Sequence, residues 1–188
     1  MTADVVPAKA GTSGSASPRK VPAFAGTTAL SFLLLAACAS PDLPAGPAPL
    51  DPIAFFEGTT SGTGLLDPIV GKSSRVTVDS QGVRTARGLR LVQRIKEGSK
   101  PERTRVWTIE DRKDGFYTGN LTDAKGMVVM DVVGARANIA YSTPSGLSIH
   151  QQLALQADGR TILNRLEAYK FGIRVATLDE TIRKPLAK

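Results

Sequence analysis

Cysteine, histidine and aromatic side chains are all scarce in this chain of 188 residues. A single Cys excludes a disulfide framework, and a single His excludes the His-rich clusters that hold many catalytic metals. Aromatic residues make up 5% of the chain, too few for the interfacial belts of a membrane-spanning β-barrel. The longest apolar run falls short of the roughly 20 residues that a spanning helix needs. Glycine and proline, at 18 and 12 residues, are well below collagen-like or mucin-like levels. What remains is ordinary for one folded domain: 41% hydrophobic and 22% charged residues, enough for a core.

The N-terminus has its own texture. Lys9, Arg19 and Lys20 form a basic start opposed only by Asp4. The apolar stretch from Ala29 through Phe32 and Leu35 to Ala37 follows, and it ends at Cys38. A basic region, a short apolar core and a small-residue cleavage site make residues 1–37 a signal peptide. Leu35-Ala36-Ala37-Cys38 resembles the lipobox of bacterial lipoproteins. That resemblance implies cleavage before Cys38 and acylation of its thiol and of the new N-terminus. Several acyl chains bury far more CH₂ than the one chain that binds marginally, so the membrane anchor would be permanent. Ala39 in place of Asp after the Cys implies sorting to the outer membrane, on its periplasmic face. The mature chain of 151 residues carries 21 basic and 16 acidic side chains, a net +5. Export excludes nucleic acid as the partner of that charge and leaves anionic lipid headgroups.

Residues 38–52 read as the acylated Cys followed by a linker. Five prolines among residues 39–52 predict an extended, semi-stiff tether. The domain proper is expected over 53–185. Arg75–Val78, Leu89–Lys96, Arg103–Ile109, Phe116–Gly119, Ser148–Leu155, Thr161–Tyr169 and Phe171–Leu178 read as strands, by alternation or between turn signals. Turn signals at Glu97–Pro101, Asp114-Gly115 and Asp158-Gly159 separate them. No segment sustains a helical period. The expectation is an all-β, antiparallel, lipocalin-like (calycin-like) barrel of about eight to ten strands. Phe55, Phe56, Trp107 and Phe171 are assigned to its core.

The search for chemistry is mostly negative. Gly71-Lys72-Ser73 lacks the leading glycine of a phosphate-binding loop, since Leu66 stands at that position. Gly62-Thr63-Gly64 and Gly71 are assigned to turns. His150 falls on the polar face of its strand, and Asp111 and Asp114 flank a turn that they would cap. Arg90, Arg94, Arg103 and Arg105, on two neighbouring strands, are the candidate basic surface patch. Neither a cofactor nor a metal is implied, and the expectation is a non-enzymatic monomer.

A second resemblance spans most of the mature chain. Phe55-Phe56-Glu57-Gly58, Gly62-Thr63-Gly64, Arg75–Val78, Arg105-Val106-Trp107, Tyr117-Thr118-Gly119, Ala137–Tyr141, Asn164-Arg165 and Lys170-Phe171-Gly172 arrive in order. This pattern resembles domain-of-unknown-function family 3833, a set of uncharacterised proteobacterial lipoproteins. Ser148–Leu153 departs from the acidic, tryptophan-containing stretch of that family. The resemblance implies a lipoprotein with some role in lipid handling. Asn164, Lys170, Tyr141 and Trp107 are the candidate ligand-binding residues, with Asn164 and Lys170 supplying polar groups to an inner cavity. Two functions follow: a carrier of a fatty acid or phospholipid, or a structural lipoprotein that docks an envelope partner through the arginine patch.

Overall fold

The computed structural model describes residues 40–186. Cys38 and the expected signal peptide lie outside them. Ten antiparallel strands follow one short helix: α1 (Pro52–Phe56), β1 (Gly58–Pro68), β2 (Ser74–Thr85), β3 (Gly88–Glu97), β4 (Arg103–Asp111), β5 (Phe116–Leu121), β6 (Lys125–Val133), β7 (Arg136–Ser142), β8 (Ser148–Leu155), β9 (Thr161–Lys170) and β10 (Ile173–Arg183). Each strand pairs with its sequence neighbour, and β1 pairs with β10 from Ser61↔Arg183 to Pro68↔Ala176. The sheet is therefore a closed lipocalin-like barrel, with no edge left to pair with another chain. Strict alternation of buried and exposed positions along β2 and β7 fixes the inner face. Ser40 onward forms one compact unit with its own core, which makes it self-sufficient in folding.

Helix α1 closes one end of the barrel. Asp51 caps it, its carboxylate accepting from the Ile53 and Ala54 backbone N–H groups, with Pro52 in the first turn. Phe55 and Phe56 meet edge to face at 5.0 Å and enter the main core. A side chain on Gly82 would stand 1.9 Å from the Phe56 carbonyl oxygen, so only glycine lets β2 accept the helix. Lys184 Nζ donates to the Ala54 carbonyl from the end of the chain.

The proline-rich segment is not a free tether. It is a strap that lies along the barrel wall toward the end closed by α1. Leu43 and Leu50 are buried, at 7% and 5% exposure. Leu43 N–H donates to Gln152 Oε1, Gly46 N–H to the Leu155 carbonyl and Leu50 N–H to the Gly134 carbonyl. Gln156 Nε2 and the Arg136 guanidinium return bonds to the Pro44 and Leu43 carbonyls. Proline favours the extended shape, as expected, but polar side chains on β7 and β8 and the loop after β8 hold it against the sheet.

Two further assignments change. Gly62 and Gly64 lie inside β1 and face the interior rather than a turn. Phe171 leaves the core: it is 92% exposed at the tip of the β9–β10 hairpin, with φ +51°. Phe55, Phe56 and Trp107 are buried as expected.

Candidate functional site

Strand parity decides which side chains meet inside. On β4, Trp107 and Ile109 are buried, so Arg105 and Arg103 also project inward, opposite Gln93 and Ile95 of β3. Arg90 and Arg94 alternate with buried Leu89, Leu91 and Ile95 and point outward. The four arginines therefore do not form one patch. Inward charge is tolerated because Asp123, at the β5–β6 turn, meets both guanidinium groups. Arg105 Nε and Nη2 donate to its Oδ2 at 3.0 and 2.7 Å, and Arg103 Nη1 donates to the same oxygen at 3.2 Å.

These residues stand at the mouth of a cavity of about 260 Å³ inside the barrel. The mouth lies at the end away from α1, where the Arg103 and Asp123 side chains are 50% and 38% exposed. Val76, Val78 and Ile95, with Leu66 and Leu178, form an apolar wall separate from the main core. Phe56, Leu91, Met130 and Ile182 line the cavity from the side of the main core. Glu97 also lines the cavity and is ion-paired with Lys100. Lys100 takes up Glu97, and Arg103 and Arg105 share the one carboxylate of Asp123, so this part of the entrance is cationic.

A second polar group sits among the apolar lining. Gln151 Nε2 donates to Asn164 Oδ1 at 2.9 Å, and Asn164 Nδ2 donates to Glu180 Oε2 at 2.7 Å. Asn164 and Glu180 are 4% and 8% exposed. Burial pushes the Glu180 carboxyl above the usual range; the Asn164 hydrogen bond and the Arg105 charge oppose that shift. Glycine makes room for this acid: a Cβ on Gly62 would stand 1.9 Å from Glu180 Oε1. Gln151 Oε1 and Asp123 Oδ1 are buried acceptors without a partner, and both residues line the cavity. Each can receive a donor from a bound molecule.

Three of the four candidate ligand residues line this space. Trp107 donates its Nε1–H to Gln93 Oε1 at 2.8 Å and meets Tyr141 edge to face at 6.1 Å. Burial raises the Tyr141 phenol, while Arg105 and Asp123 act on it with opposite signs. Asn164 is buried and lines the cavity. Lys170 does not line the cavity: its ammonium bonds the Ser145 carbonyl at the β7–β8 turn. Gln93, Gln151, Asp123 and Glu180 went unread in the sequence, although Glu180 shares parity with Leu178 and Ile182 on an otherwise apolar face. His150 is on the outer surface, edge to face with Tyr169 at 5.5 Å. Among the described residues no group of three or more His, Cys, Asp and Glu side chains could hold a metal ion.

No curated protein matches the sequence significantly. Among solved structures, a protein of unknown function of the DUF3598 family from Nostoc punctiforme PCC 73102 superposes with a TM-score of 0.52 at 14% identity. The match covers 73% of this chain and 50% of that one, so this chain spans half the length of that protein. An S-type phycobiliprotein lyase from Guillardia theta superposes with a TM-score of 0.57 at 6% identity, covering 72% of this chain and 92% of the lyase. Identities this low show a shared fold. A family match extends over residues 32–184, and by it the chain belongs to the family of proteins of unknown function DUF3833.

Proposed function

We propose that this barrel binds a single-chain amphiphile with an anionic head, of which a fatty acid is the simplest case. The proposal places it at the periplasmic face of the outer membrane, on a lipid anchor at Cys38. The observation that carries the reading is an apolar cavity at whose mouth two arginines share one carboxylate. A tail would lie against Val76, Val78, Leu166 and Leu178, and the Arg103 guanidinium would meet the head. The volume is near the lower end for ligand sites of about 300–1,000 Å³. That favours one acyl chain over a two-chain phospholipid. The alternative, an envelope partner on a basic outer face, loses two of its four arginines, since Arg103 and Arg105 turn to the barrel mouth. The lyase shares a fold with this chain and lends it no activity.

The test is native mass spectrometry of residues 40–188, alone and with a long-chain fatty acid. The expected result is one bound chain that leaves on denaturation, with Arg103→Glu weakening the complex by about tenfold or more. A wild-type domain that stays empty with added fatty acid would overturn the reading.

A further inference from the structure

The barrel mouth carries a feature that ligand binding does not use. Because β1 and β10 are hydrogen-bonded neighbours, the β1–β2 loop and the β9–β10 turn stand side by side, joined by Ile69 N–H donating to the Val175 carbonyl. Their tips hold Ile69, Val70, Phe171 and Ile173, at 69%, 85%, 92% and 65% exposure. Phe171-Gly172 is a two-residue hairpin loop in which both residues have positive φ, at 51° and 77°. Such loops prefer Asn-Gly, and a bulky aromatic in the left-handed region is an outlier. Here the phenyl ring is held in the costlier conformation and aimed at solvent. Lys72, Lys96, Lys125 and Lys170 surround the mouth, and none forms a salt bridge among the described residues.

The described chain begins at the same end. Ser40 donates to Glu167 on β9 and accepts from Arg174 on β10, the two strands of the Phe171 hairpin. Ser40 is two positions after Cys38, at most about 7 Å of chain. We infer that the mouth of the barrel, through Ile69, Val70, Phe171 and Ile173, docks on an anionic phospholipid bilayer. The apolar tips enter the headgroup and acyl boundary, the lysines meet lipid phosphates, and the cavity opens onto the membrane.

Residues 40–188, which lack Cys38, separate this contact from any acyl anchor. The experiment is flotation with vesicles of phosphatidylethanolamine and phosphatidylglycerol. Phe171→Asn suits its turn and is expected to fold at least as well as the wild type. It should weaken binding by about tenfold or more, since burying one such side chain is worth roughly one to two decades in an equilibrium constant. Ile69→Ser with Val70→Ser should do the same. Val83→Ser, which removes an exposed side chain near the far end, should change nothing. Wild type that does not float, or F171N that floats equally, overturns the inference. So does a wild-type dimer in the absence of lipid that F171N dissolves, because the occupant is then a second copy. Fatty-acid loading by F171N is read separately, so the cavity reading and this one fail independently.

Discussion

Glu180 makes the interior sensitive to pH in a direction opposite to the usual carboxylate. Its side chain is buried against β1, accepts from Asn164 Nδ2 at 2.7 Å and stays protonated above the usual 4.5 because burial disfavours the anion. In the unfolded chain it ionises near 4.5. Between that point and the raised native value, the native state holds the extra proton. Stability therefore falls as pH rises through this window, by up to about 1.4 kcal/mol per pH unit, and levels off above it. Glu57, Asp158 and Glu167 are shifted downward, so what they contribute is present above their unfolded values and lost as pH falls, on the acid side of the window. Glu180→Gln keeps an oxygen for Asn164 and removes the ionisation. The assay is urea unfolding from about pH 4 to about pH 8, followed by the fluorescence of Trp107, the single tryptophan. Wild type should lose stability relative to E180Q as pH rises, with the two closest at the acid end. Parallel curves across the range would refute the assignment of a native proton to Glu180.

Other outcomes follow from the same contacts. Gly82→Ala puts a methyl group onto the Phe56 carbonyl and should destabilise by about 1–3 kcal/mol, visible as a lowered Tm. Starting the chain at Asp51 exposes the surface that Leu43 and Leu50 cover. At about 1.5–3 kcal/mol for each leucine, the urea midpoint should drop sharply; an unchanged midpoint would make the strap decorative. Asp123→Asn leaves Arg103 and Arg105 facing each other with no anion between them. It should tighten binding of an anionic amphiphile while lowering stability, and a loss of both would count against a cationic mouth.

Much of the architecture was legible because alternation has a period of two and hairpin turns carry glycine. Closure into a barrel followed from strands joined only to their neighbours. The site was legible in pieces. Asn164 and Trp107 share parity with apolar residues and do face inward, and the same rule applied to β4 turns Arg103 and Arg105 inward with Trp107. Charge drew them to the surface in the sequence reading; what admits them inside is Asp123, which arrives from a turn 18 residues later, a distance no local pattern spans. Composition likewise identified an extended proline segment, but its docking depends on Gln152, Gln156 and Arg136, more than 90 residues away. Phe171 shows the reverse failure: a hydrophobic residue at a hairpin tip has no core within reach.

The docked strap also changes what an anchor at Cys38 could do. A free proline-rich tether of fourteen residues would span about 40 Å and let the barrel present any face to the membrane. With Ser40 held to Glu167 and Arg174, that slack is gone, and the body begins two residues after the proposed acylation site. The strap leaves β9 near the mouth and ends at α1, which closes the opposite end. Apolar tips and cavity opening share one end of the barrel, and the plug occupies the other. Holding them there in advance lowers the orientational cost of each encounter between the mouth and the lipid surface. If the proposed ligand is itself a membrane component, a short tether would serve such a carrier better than a long one, because the site would not have to search for its supply.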